Sequence, residues 1–165
     1  MQMSNDTVES VQRDKSLRPK QALLVVFGDI DFPRKVRADK VYEYLTSRNA
    51  WFVSRHPRGF EPAMPVLFYQ SGIGFRGTAV VDAVGKTSQD DRKEYGLIPL
   101  DAYPTKIILR DLHTFASPVD PRPLLRHLSF VTNKVYWGHS FRTSPRLIPG
   151  SDYQLITRSK AALTH

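Results

Sequence analysis

The chain has 165 residues, 41% hydrophobic and 24% charged, with no cysteine and a formal net charge of +8. That length suits one domain with one real core. The missing thiols exclude disulfides, thiolate metal sites, iron–sulfur clusters and cysteine nucleophiles, and the basic excess favours a polyanionic partner such as nucleic acid.

Residues 1–20 are polar and aperiodic and read as a disordered tail ending in a basic patch, leaving 21–165 as a single domain. Ala22 to Phe27 is a continuous apolar run, the pattern of a strand buried on both faces. It is too short to cross a bilayer, and the start of the chain lacks a signal peptide's apolar core, so a cytoplasmic protein without a membrane partner is expected. From Pro33, Val36, Val41, Tyr44 and Leu45 recur at helical spacing, with Asn49 as the stop. Trp51-Phe52-Val53 reads as a short strand, and the prolines and glycine between Arg55 and Ala63 read as a loop.

Pro65–Tyr69 and Thr78–Val84 are two strand-like runs joined through the glycine-rich segment Gln70–Gly77, a hairpin pattern. Gly85 to about Gly96 is polar and reads as an exposed loop. Lys106–Leu112 reads as a strand. Asp120 can cap a short helix that turns Leu124, Leu125 and Leu128 inward. Asn133–Pro149 reads as irregular, and Ser151 can cap a last helix with Tyr153 and Ile156 on its inner face. Strands with a few short helices outside them, and no regular alternation of the two, predict an α+β fold rather than a doubly wound sheet.

Several motifs fail on their mechanics. Gly72-Ile-Gly-Phe-Arg-Gly77 spells a dinucleotide fingerprint, but the β-branched Thr78-Ala-Val-Val that follows is strand-like where the mechanism needs a helix. Gly85-Lys86-Thr87 lacks the upstream glycine of a phosphate loop, since Val80 stands there. His56, His113, His127, His139 and His165 have no zinc-helix spacing. Asp29 and Asp31 read as turn-forming groups. No nucleophile elbow is present. No catalytic residue, metal or cofactor is therefore expected.

What remains is the interleaving of rings with cations. Trp51, Arg55, Arg58, Tyr69 and Arg76 form one set; Lys134, Tyr136, Trp137, His139 and Arg142 form another. Rings stack on exposed bases and arginines hold phosphates by forked hydrogen bonds. Phe52, Phe68 and Phe130 read as core.

Pro65-Val-Leu-Phe-Tyr-Gln-Ser71, a glycine turn, and Arg76-Gly-Thr-Ala-Val-Val-Asp-Ala-Val84 resemble the centre of the PUA-like superfamily, its EVE and ASCH domains above all. Phe115-Ala-Ser-Pro-Val-Asp120 before a leucine-rich helix, and the closing Ser151-Asp-Tyr-x-x-Ile156, are similar in layout. The resemblance spans roughly Trp51 to Ile156. Ala63-Met64 stands where the family's Gly-Asp would be. It implies a small, partly open mixed β-barrel with peripheral short helices, and a module that binds RNA or modified DNA by holding a flipped base in an aromatic pocket. It further implies that Phe68, Tyr69 and Ser71 lie near that pocket, with Gly74 and Arg76 on its turn and Trp51 as its tryptophan. Two alternatives stay open: a hydrolase or nuclease on the same scaffold, in which Lys40, Lys106 or His139 would act with a carboxylate, and a protein-interaction module. The sequence leaves the oligomeric state undecided.

Overall fold

The computed structural model describes residues 19–159, so nearly all of the expected 1–20 tail lies outside the described residues. The first strand, β1 (Gln21–Phe27), leads through a loop to helix α1 (Ala38–Thr46) and strand β2 (Ala50–Val53). Strands β3 (Pro65–Gln70) and β4 (Gly74–Lys86) follow, then helix α2 (Gln89–Glu94) and strand β5 (Thr105–Val119). Strand β6 (Arg146–Pro149) and helix α3 (Gly150–Thr157) close the order, with 3-10 turns at Leu100–Ala102, Arg122–His127 and Trp137–Phe141. Among the described residues the strands form one six-stranded sheet in the order β2-β5-β4-β3-β1-β6. The pair β1–β3 is parallel and the other pairs are antiparallel. This is the expected α+β fold.

The sheet is a middle layer. The alternation of β1 sends Leu23, Val25 and Phe27 into an apolar cluster beneath α1, and Ala22 and Leu24 into a second cluster beneath α3 and the later 3-10 turns. Strand β3 divides likewise, with Val66 and Phe68 on the first side and Leu67 and Tyr69 on the second. Phe52, Phe68 and Phe130 are buried, as their strand-like settings imply.

The long β4–β5 pair shifts register between Phe75 and Gly77, between Thr78 and Val80, and between Val81 and Ala83. Such bulges bend a strand and increase its twist, and the sheet curls into a half-barrel. Its two edges approach at a seam before β6. There Arg55 Nη2 donates to the Pro145 carbonyl at 2.9 Å and the Ser54 hydroxyl to the Ser144 carbonyl at 3.4 Å. The Val26 amide donates to the Ser144 hydroxyl at 2.8 Å, tying the same segment to β1.

Four local expectations are corrected. The first helix starts at Ala38, not near Pro33; residues 28–37 form a loop pinned where Ile30 and Val36 exchange backbone hydrogen bonds of 2.8 and 2.7 Å. The Asp29 carboxylate accepts the Ala38 amide at 2.8 Å, the local role expected of it. Residues 85–96 are not a loop: β4 pairs with β5 as far as Lys86, and Ser88 and Asp91 form a reciprocal capping box that starts α2. The segment 133–149 holds a 3-10 turn and β6. Finally, α3 begins at Gly150, ahead of Ser151, and Asp152 instead turns its carboxylate to the Ser129 and Phe130 amides at 3.0 and 2.9 Å.

Helix α2 is too short to persist alone. It is fastened to β5 by Lys106, whose ammonium lies 2.6 Å from Asp91 and 5.5 Å from the Tyr95 ring centre. Burial pushes the Asp91 carboxyl upward, but the hydrogen bonds from Lys106 and Ser88 outweigh it and leave it below the ordinary value. Burial likewise works against the charge on Lys106, and Asp91 more than offsets this and raises it. A lowered carboxyl contributes stability that is complete above its unfolded value near 3.8 and is lost as pH falls through the folded one. Lys106→Ala leaves Asp91 buried without its cation and is expected to cost about 3 kcal/mol. Urea unfolding at neutral pH checks this. The acid-side loss of stability measured from pH 5 down to pH 2 should shrink in the variant.

Candidate nucleic-acid interface

A cavity of about 380 Å³ opens between the end of β1, α1, β2 and the 3-10 turn at Leu100–Ala102. Its inner wall is apolar and aromatic, built from Phe27, Val41, Leu45, Trp51 and Ile98. Trp51 meets Phe27 edge-on at 5.3 Å and Phe68 at 4.8 Å, so the indole is held from behind by the core. The mouth is polar: Asp29, Ser54, Tyr103 and Ser144 stand around it. Arg55 follows Ser54 at the seam, and Arg142 stands exposed two residues before Ser144. The size and lining are those of a small-molecule site: an apolar body with a few convergent polar groups.

Of the residues singled out in the sequence, the structure brings only some together. Trp51 lines this cavity but is 3% exposed, so it offers a wall and not a free stacking face. Ser71 is exposed beside it: its amide donates to the Phe27 carbonyl at 2.9 Å, and its side chain lies 3.8 Å from the Cβ position of Gly28. Arg58 is exposed in the loop after β2.

Tyr69 belongs to the other side of the sheet. It is buried in the second cluster, stacked on Phe141 at 4.2 Å. Trp137 packs edge-on against the same Phe141 at 5.8 Å. The expectation that Tyr69 shares a pocket with Trp51 is thus corrected, because alternation along β3 puts Phe68, against which Trp51 packs, on one face of the sheet and Tyr69 on the other. Gly74 is buried too. Its φ is +141°, and a Cβ there would lie 2.5 Å from the Val119 carbonyl oxygen, so the close approach of β5 accounts for this glycine.

Arg76 is engaged in a network with Gln70 and Asp39, the guanidinium lying 3.0 Å from the Asp39 carboxylate and 5.3 Å over the Tyr42 ring. Hydrogen bonds from Gln70 and Arg76 hold the Asp39 carboxyl below the usual range, which suits a fixed anion rather than a proton carrier near neutral pH.

Lys134, Tyr136 and His139 form a separate surface on the second side. Asn133 accepts the amides of Val135 and Tyr136 at 3.1 and 2.9 Å, a local turn that leaves the Tyr136 ring 66% exposed and edge-on to His139. Lys134 is held by the Leu128 carbonyl at 2.8 Å and shares a cleft with Arg122, Arg126 and His127.

The sequence reading missed three of these features. The Leu100–Ala102 turn and Ile98, which wall the cavity, fall in a stretch without periodicity. Arg122 and Arg126 stand among the prolines and leucines of residues 121–128, outside both ring-and-cation sets. Phe32, 83% exposed between Asp31 and Pro33, carries a signal in its large ring set in a loop rich in charged residues.

The hydrolase alternative asks for a lysine or histidine within reach of a carboxylate. Lys106 and Asp91 meet that description at 2.6 Å, but Asp91 is on the buried side of α2 and neither residue lines the Trp51 cavity. The pair is accounted for by the fastening of α2.

No family model matches this chain. No curated protein matches it by sequence. Among solved structures, the chain is similar to the ASCH protein of Zymomonas mobilis, determined as a tyrosine-to-phenylalanine variant. That match covers 85% of this chain and 99% of the other, with a TM-score of 0.47 and 11% identity. Among the described residues no helix is long and apolar enough to cross a membrane.

The different settings of Gly74 and Tyr136 separate packing from exposure. Gly74→Ala is expected to lower stability by about 2 kcal/mol or more, whereas Tyr136→Ala should stay within about 0.5 kcal/mol of the parent. Paired thermal and urea melts of the two variants check the contrast.

Proposed function

We propose that this protein binds single-stranded nucleic acid and takes one unstacked base into the cavity beside Trp51. The observation that carries the reading is the cavity itself: a ring-lined wall large enough for a base, with hydroxyl and carboxylate groups at the mouth where a base edge would present donors and acceptors. The Asp29 carboxylate and the Ser54 and Ser144 hydroxyls supply both acceptors and donors, the mix that base-edge reading requires. The cations supply the rest. Arg55 reaches Pro145 at the cavity lining, Arg142 is exposed two residues before Ser144, and the net charge of +8 draws a polyanion toward the whole surface.

The sequence resemblance to EVE and ASCH domains supports the same reading, with RNA or DNA carrying a modified base as the ligand class. The basic surface of Arg122, Arg126 and Lys134, with the exposed Tyr136 ring beside it, suits a flanking stretch of backbone rather than the base, since it lies across the sheet from the cavity.

Ala102 borders the cavity and is exposed, so a bulky side chain there fills the mouth without disturbing the core. Ala102→Trp is expected to weaken binding of a fluorescein-labelled single-stranded RNA at least tenfold by anisotropy, with an unchanged melting temperature. Binding to the parent should fall steeply with salt. Arg55→Ala and Arg142→Ala should each flatten the slope of log K against log salt by about 0.7, the single-strand value per phosphate contact. A parent protein that binds no RNA or DNA at low salt, or an Ala102→Trp variant that binds as the parent does, overturns the reading.

A further inference from the structure

We propose that the Trp51 cavity continues into a stacking site at Phe32, so that the protein takes a dinucleotide step rather than a single nucleotide. This rests on the reading of the cavity as a base site. A second cleft, of about 560 Å³, runs between the loop tip Phe32-Pro33-Arg34 and the segment Gly96–Ala102. It shares Ile98 and Ala102 with the Trp51 cavity, so the two concavities adjoin along one wall. On the opposite bank the same loop serves both: Ile30 borders the first and Phe32 the second.

Phe32 is the most exposed large apolar side chain of the described residues, at 83%. The loop that carries it is fixed at its base rather than slack. Ile30 and Val36 exchange two backbone hydrogen bonds, and Asp29 holds the Ala38 amide. A ring displayed from a pinned loop loses little further freedom on binding, which favours its use as a contact. Single-stranded nucleic acid is the occupant that the surrounding chemistry fits. Any base has a face to lay on the ring. Arg34 lines the cleft, and Lys35 and Arg37 stand exposed on the same loop, three cations against Asp29 and Asp31. Arg92, also in the cleft, is already engaged by Asp101, so Arg34 is the cation placed to meet the phosphate that joins the two nucleotides.

The test is a titration of the parent, Phe32→Ala and Phe32→Trp with the four 5′-mononucleotides and the four 5′-phosphorylated homodinucleotides, followed by intrinsic tryptophan fluorescence and by NMR shifts. At least one dinucleotide is expected to bind about tenfold tighter than its mononucleotide, the gain that one stacked base supplies. Phe32→Ala should remove that gain and leave mononucleotide affinity unchanged, and Phe32→Trp should restore it. Should mononucleotides bind while dinucleotides gain nothing, or should the gain survive Phe32→Ala, the second site is wrong and the cavity reading stands. Should neither class bind, the cavity reading fails and this inference fails with it. The exposure of Phe32 keeps both variants folded, which their melting temperatures will verify.

Discussion

The structure depends on one constraint: the central strands β1 and β3 of its sheet are buried on both faces. Side chains of β1 and β3 alternate between two apolar clusters, and neither strand has a face left for water. A sheet used this way needs cover on each side. The helices, 3-10 turns and loops outside it are that cover, and their shortness follows from having only to seal a curled surface. The burial also decides where a ligand can go. With both faces of β1 closed, the Trp51 cavity opens at the end of that strand, beside the seam between β2 and β6.

The same constraint explains why rings that look alike in the sequence do different things. Trp51, Tyr69 and Phe75 all lie on the stretch between Arg48 and Arg76, yet Tyr69 and Phe75 complete the second cluster while Trp51 ends up facing the cavity. Charge is organised differently. The paired carboxylates each fasten something: Asp91 holds α2 to β5 through Lys106, and Asp39 gathers Arg76 and Gln70. Cations with no such duty, Arg34 and Arg142 among them, stand where a polyanion can reach them.

Much of the fold was legible because it rests on short-range pattern. The unbroken Ala22–Phe27 run announced a strand covered on both sides, and the Gly-rich join after Tyr69 announced a hairpin. The start of α2 was missed because its capping box carries Asp91 in place of the usual glutamate or glutamine, so the pattern passed for a polar loop. The first helix was begun too early because Pro33 resembles a helix opener, and only a contact nine residues long, Asp29 to Ala38, sets the true start. The candidate site was less legible than the fold. Sequence proximity groups residues by neighbourhood along the chain, whereas period-2 alternation sends neighbours to opposite faces. The cavity is assembled from segments near residues 27, 51, 102 and 144, which no local window contains.

The seam before β6 links shape to occupancy. Ser144 is grasped from β1 through the Val26 amide and from β2 through Ser54, and Ser144 and Pro145 are also part of the cavity lining. Whatever fills that space therefore presses on the clasp that keeps the two edges of the half-barrel together. A guest bound there stabilises the folded molecule, and so tightens the clasp, by its own affinity. The Val26 amide sits at the clasp, and slowed hydrogen exchange there would report that tightening from inside the sheet.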